Sequence, residues 1–274
     1  MIPYSNLHTH TSYSDGANTP EEMICAALEA GCVALGFSDH SFTPFDPDYC
    51  MAREREEEYQ SEIRRLAAKY QSQIAIFCGI EQDLYSSSPR EGYDFIIGSV
   101  HYVLKNEEYI PIDNTPEILI NAVNKHYNGD FYALAEDYYA AVSQIIDKTH
   151  CNIIGHFDLI TKFNEGNTLF DETNPRYLAA AKKAIHKCAS GKTLFEINTG
   201  AISRGYRKTP YPSFPLLREI LKADANVLFS SDCHSAKTIL TGFDFAVKQA
   251  QLAGFQQMYA LTSDGLMPFS IAAK

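Results

Sequence analysis

The chain has 274 residues, 45% hydrophobic and 21% charged, with a formal net charge of −11. A chain of that size and balance can bury a sizeable globular core, and no apolar run nears the roughly 18 residues needed to span a bilayer. The acidic excess counts against broad polyanion binding, which needs basic surface to release counterions.

The start, "MIPYSNLH", has neither the basic region nor the apolar core of a signal peptide. Seven cysteines lie dispersed without C-x-x-C spacing, the pattern of reduced thiols. The expectation is a cytoplasmic protein with no membrane attachment and no nucleic-acid partner. From there a short β-rich run alternates with a helical stretch. The runs are "YSNLHTH", "CVALGFSDH", "IAIFCGIEQD", "FIIGSVHY", "NIIGHFDLI", "TLFEINTG" and "NVLFSSDCH", each brief and mostly apolar, as strands buried on both faces are. Between them, Thr19-Pro20-Glu21-Glu22 forms a capping box that starts a helix. The stretch from about 51 to 70 puts Tyr59, Ile63, Leu66 and Tyr70 on one stripe, which makes "REREEE" a solvated face. Phe131, Leu134, Tyr138, Val142 and Ile145 make a second stripe, and further helices are expected at about 175–190, 213–223 and 236–253. No linker, repeat or low-complexity segment divides the chain, so 1–274 reads as one α/β domain. Seven strand–helix units favour a closed parallel barrel, in which function gathers at the C-terminal ends of the strands. Neither GxGxxG nor GxxxxGK[ST] follows a strand, which removes the main support for those nucleotide-binding folds.

Those strand ends share one property: nearly all finish on a histidine or an acid. His8 and His10, with Asp15 beyond, follow the first; then come Asp39-His40, Glu81 with Asp83, His101, His156 with Asp158, and Asp232 with His234. Six of nine histidines fall there; His126, His150 and His186 lie in or beside helices. Residues i and i+2 on a strand share a face, so His8/His10 and Asp232/His234 can each aim two ligands into one space. Clustered polar groups are costly to bury unpaired, and mixed imidazole and carboxylate donors suit Zn²⁺, Mn²⁺ or Fe²⁺. His8, His10, Asp15, His40, Glu81, His101, His156, Asp232 and His234 exceed the needs of one four- or five-coordinate ion. Two or three divalent ions are therefore expected, an arrangement suited to displacement at phosphorus.

"HTHTSYSDG", "SDH", "GIEQD", "GSVH", "GHFD" and "SDCH" together resemble the ordered metal motifs of the polymerase-and-histidinol-phosphatase (PHP) family, from residue 6 to residue 234. The resemblance implies a distorted (β/α)7 barrel with three metals. It would place His8, His10, Glu81 and Asp232 on the first, Glu81, His101 and His156 on the second, and Asp15, His40 and His234 on the third. An aspartate at 15, where some members carry histidine, suggests the histidinol-phosphatase branch. That branch implies hydrolysis of the phosphate monoester L-histidinol phosphate, in histidine biosynthesis.

After the sixth strand, "NTGAISRGYRKTPYPS" concentrates Arg204, Arg207 and Lys208 in an otherwise acidic chain, on the active face. Arginine forks match phosphate oxygens. Arg204 matches the phosphate-binding arginine of the family, with Arg207 and Lys162 as further candidate substrate contacts. Glu81, Asp232, Asp15 and Arg204 are the candidate catalytic residues, and the proton donor to the leaving alcohol is left between Asp15 and a metal-bound water. Rival readings are a nucleotide phosphatase or exonuclease of the same family, and a non-catalytic metal-binding module.

Overall fold

Seven parallel strands, one from each apolar run, hydrogen-bond in chain order in the computed structural model, which describes residues 4–189 and 193–272. They are β1 (Ser5–Asn6), β2 (Ala34–Phe37), β3 (Ala75–Asp83), β4 (Phe95–Ser99), β5 (Ile153–Ile154), β6 (Leu194–Asn198) and β7 (Asn226–Ser230). Just beyond β1 and β7, Thr9 bridges Cys233, and the His10 amide donates to the Cys233 carbonyl at 2.9 Å. That contact nearly closes the sheet into a barrel, so residues from first and last strands face one another across its rim.

Alternation along the strands sorts the core into two layers. Ile96, Ile154, Phe195, Ile197, Val227 and Phe229 pack outward with the helices. Leu7, Phe95, Ile97, Ile153, Leu194 and Leu228 form a separate cluster inside. The Phe95 ring crosses this interior because β3 carries glycine opposite it: a Cβ on Gly79 would lie 2.3 Å from that ring. Tyr259 and Leu261 of a C-terminal hairpin (Gln257–Thr262 and Gly265–Ser270) pack against the same cluster and cover that end.

The helices follow the expected periodicity, with local departures. Helix α1 (Pro20–Glu29) starts on Thr19 with the full capping box. Helix α2 (Glu56–Tyr70) buries Tyr59, Ile63 and Leu66, but its first turn, Arg53–Arg55, is 3-10. Between β4 and β5 lie three elements that the sequence pattern does not predict: a hairpin (Tyr102–Lys105 and Glu108–Pro111), helix α3 (Pro116–Tyr127) and the separate short helix Ile145–Thr149. Helix α4 (Phe131–Val142) buries Leu134, Tyr138 and Val142, whereas Ile145 sits beyond its end, on that short helix. Helices α5 (Pro175–Cys188), α6 (Phe214–Lys222) and α7 (Phe243–Ala253) complete the outer layer. The expected 236–253 helix is split, because Gly242 adopts a left-handed φ of 84° between a 3-10 turn and α7. No helix among the described residues is long and apolar enough to cross a membrane.

Candidate metal centre

All nine candidate ligands converge at the C-terminal end of the barrel. His8, on the segment after β1, has its Nε2 3.2 Å from Glu81 Oε2 and 3.7 Å from Asp232 Oδ1. His10 Nε2 lies 3.5 and 3.3 Å from the same two oxygens. Glu81 is central: its Oε1 accepts from Ser99 Oγ at 2.5 Å and faces His156 Nε2 at 2.9 Å and His101 Nε2 at 3.5 Å. Nearer the surface, Asp15 faces His234 Nε2 at 3.2 Å and His40 Nε2 at 3.7 Å. Three groups can each hold an ion: His8 with His10 and Asp232; His40 with Glu81 and His101; and His10 with Asp15, His40 and His234. His10 and His40 therefore each border two positions, a sharing that the sequence motifs did not reveal.

The donor atoms themselves indicate what fits there. His8 Nε2, both ring nitrogens of His10, Glu81 Oε2 and His156 Nδ1 are buried without a hydrogen-bond partner. His8 and His10 are 0% exposed. Leaving such groups unmatched costs about 1–3 kcal/mol each, and a set of them aimed into one space fits divalent cations. Their electrostatics also conflict. Burial disfavours charge on His8, yet Glu196, Glu81 and Asp232 outweigh it and hold the pKa well above the usual imidazole value. Burial, with His234 and His40 beside it, pushes His10 down to about 3. Burial opposes ionisation of Asp232, but Arg204 and His8 hold its carboxyl well below the usual range. The same contest at Asp15, won by His40, His234 and His10, keeps that carboxylate ionised.

Local backbone serves this crowding. Asp232 adopts φ +46°, in the left-handed region, which aspartate tolerates better than most residues and which is common at functional sites. A Cβ on Gly200 would come within 2.8 Å of both Asp232 Oδ2 and Arg204 Nη2, so glycine there lets the loop after β6 approach the cluster.

Above the cluster opens a cleft of about 570 Å³, lined by Asp15, Glu81, Asp232, Lys162, Arg204 and Tyr206 among others. Arg204 donates to Asp232 Oδ2 at 2.9 Å and to the Asp232 carbonyl at 3.2 Å. Lys162 reaches the cleft while donating to Asp113. Arg207 does not line it, contrary to the expectation of a substrate contact: it is buried, donating to the Thr161 carbonyl at 2.6 Å and to Glu172 at 2.9 Å. Gly205, at φ +76° between the two arginines, turns the chain.

Three residues beside the cluster are not among the ligands expected from sequence. Glu196 binds His8 Nδ1 at 2.8 Å, Asp83 lies 3.3 Å from His101 Nδ1, and Asp39 accepts from the Thr11 and Ser14 amides, anchoring the loop that carries Asp15. A carboxylate in the middle of a buried apolar strand, as in "TLFEINTG", is the signal that could have found Glu196.

The PHP domain family matches residues 6–200 of the chain. A protein of Schizosaccharomyces pombe named "Probable histidinol-phosphatase" is 28% identical over 260 residues, covering 87% of this chain and 82% of that protein. One of the same name from Deinococcus radiodurans is 27% identical over 272 residues, covering 93% and 95%. The histidinol phosphate phosphatase of Lactococcus lactis, solved with zinc, L-histidinol and phosphate, superposes with a TM-score of 0.69 at 19% identity, covering 97% of this chain and 100% of that one. At that identity the likeness establishes the barrel.

Proposed function

The chain belongs to the PHP domain family, and on that footing we propose that it is a metal-dependent phosphomonoesterase that converts L-histidinol phosphate and water to L-histidinol and phosphate. The observation that carries this reading is the set of partnerless buried ring nitrogens, with the Glu81 oxygen, beside a cleft that Arg204 also lines. The names of two relatives, each aligned over more than four fifths of both chains, support the substrate.

His8, His10, Glu81 and Asp232 would hold one ion, Glu81, His101 and His156 a second, and Asp15, His40 and His234 a third. Divalent ions held there supply Lewis acidity toward phosphoryl oxygens and acidify the attacking water. The chain's own residues do the rest. Arg204, tethered to Asp232, offers a planar fork to phosphate oxygens that a lysine could not match. Lys162 adds a point charge beside the same loop, its ammonium 5.0 Å from the Tyr206 ring centre. Several ligands and one arginine fork engage a terminal phosphate on its free oxygens, which suits a dianionic monoester better than an internal diester. Asp46 and Asp48, which line the same cleft, would meet an ammonium on the departing alcohol.

The test is a panel of phosphate monoesters, histidinol phosphate and nucleotides included, assayed with zinc, manganese or iron supplied. A preference for histidinol phosphate of about 10²-fold in kcat/KM, near 3 kcal/mol, is the expected result. Faster turnover of nucleoside monophosphates or DNA ends would replace the substrate and leave the metal assignment standing.

A further inference from the structure

Glu196 lies one layer below the ligands, fully buried on β6. All of its neighbours donate to it. Its Oε2 is 2.8 Å from His8 Nδ1 and accepts from Ser230 Oγ at 2.8 Å. Its Oε1 accepts from the His156 backbone amide at 2.5 Å and from Asn198 Nδ2 at 2.8 Å. Asn198 Nδ2 lies in turn 3.3 Å from Asp232 Oδ2.

We infer that Glu196 is a positioning residue that couples two metal positions through one carboxylate. A carboxylate accepts only, so the proton of neutral His8 sits on Nδ1, and Nε2 keeps the lone pair that faces Glu81 and Asp232. The other oxygen of the same group fixes the backbone of His156 and, through Asn198, the position of Asp232. An ion bound through His8 and one bound through His156 thus share a support. Asp83 stands in a similar relation to His101, whose Nδ1 it faces at 3.3 Å, but it touches a single ligand residue. The inference rests on the metal reading above but not on the identity of the substrate.

The experiment measures zinc affinity of the purified full chain by competition with a chromophoric chelator, without substrate. Glu196→Gln keeps the shape but brings an NH₂ against one of four donors, and should weaken binding at two positions by about 10–100-fold. Ser230→Ala removes one donor and leaves the His8 contact, and should change affinity by less than about fivefold. Should Glu196→Gln fold poorly, ¹⁵N shifts of the zinc-loaded native protein test the same point, with His8 expected to keep its proton on Nδ1. Unchanged affinity in a folded Glu196→Gln protein, even one with a lowered Tm, overturns the inference, as does a His8 proton on Nε2 in the zinc-loaded native chain. Wild-type protein that binds zinc yet leaves histidinol phosphate intact refutes the proposed substrate alone, since the affinity ratio is still read.

Discussion

At the N-terminal end of the barrel, Leu194 on β6, Leu228 on β7 and Ile97 on β4 meet in an apolar cluster. Two residues further along the same strands stand Glu196, Ser230 and Ser99, each hydrogen-bonded to a neighbour of the centre or to another of them. Two further again stand Asn198, Asp232 and His101, at the cleft or in contact with a residue that lines it. One period-2 alternation therefore builds three layers: an apolar base that supplies stability, a polar layer that orients, and a rim that holds donors in excess of their partners. The rim can hold that excess because the base lies beneath it. Damage at the two ends should accordingly separate in experiment, stability from chemistry.

The largest effect belongs to the rim. Asp232→Asn or Glu81→Gln should lower kcat/KM by about 10³-fold or more, over 4 kcal/mol in transition-state binding, and reduce the metal retained after gel filtration. Asp158→Asn, at a buried acid that accepts from the Ser213 amide rather than facing the cleft, should cost less than about tenfold. Equal, mild losses at all three positions would refute the ligand assignment.

At the base, Leu228→Ala should lower unfolding free energy by about 3 kcal/mol, as deletion of a buried leucine does. Metal per folded chain should stay unchanged in urea-titrated samples assayed below the transition. Loss of metal without loss of stability would erase the distinction between the two ends.

Between them stands the arginine loop. Arg204→Ala should lower kcat/KM by about 10²-fold, near 2.7 kcal/mol, with metal content intact, and Arg204→Lys should recover only part of it. Three residues on, Arg207→Ala should act on folding instead, costing about 2 kcal/mol, because Glu172 and the Thr161 carbonyl lose a buried partner. An Arg207 variant with normal stability and poor turnover would reverse the two roles.

The smallest effect lies in the thiols. Burial pushes Cys32, Cys78, Cys188 and Cys233 up to about 12; the charged thiolate is disfavoured, so alkylation at pH 8 should be slow at all four. Cys25 alone among the seven is exposed, and mass spectrometry of iodoacetamide-treated native protein should find one adduct, against seven after denaturation.

The strand ends were legible because a ligand-bearing rim must leave histidines and acids at i, i+2 spacing within runs that are otherwise apolar. The elements between β4 and β5 were not, for local reasons. The hairpin there turns on Asn106-Glu107, both at positive φ, and Glu in that conformation lacks the Asn-Gly signature that marks such turns. Asp264-Gly265 in the C-terminal hairpin did carry a turn signal, but its flanking strand, "GLMPFS", holds a proline that reads as non-strand. Arg204 and Arg207 look equivalent in sequence; only the fold separates a guanidinium beside Asp232 from one buried against Glu172.

Hydrolysis of a phosphate monoester at a multinuclear centre can be checked in a single purified sample. Elemental analysis is paired there with phosphate release from L-histidinol phosphate before and after chelation. More than one divalent ion per chain is expected, with activity that vanishes on stripping and returns with zinc, manganese or iron. Full activity in protein holding at most one ion per chain would contradict the multinuclear centre.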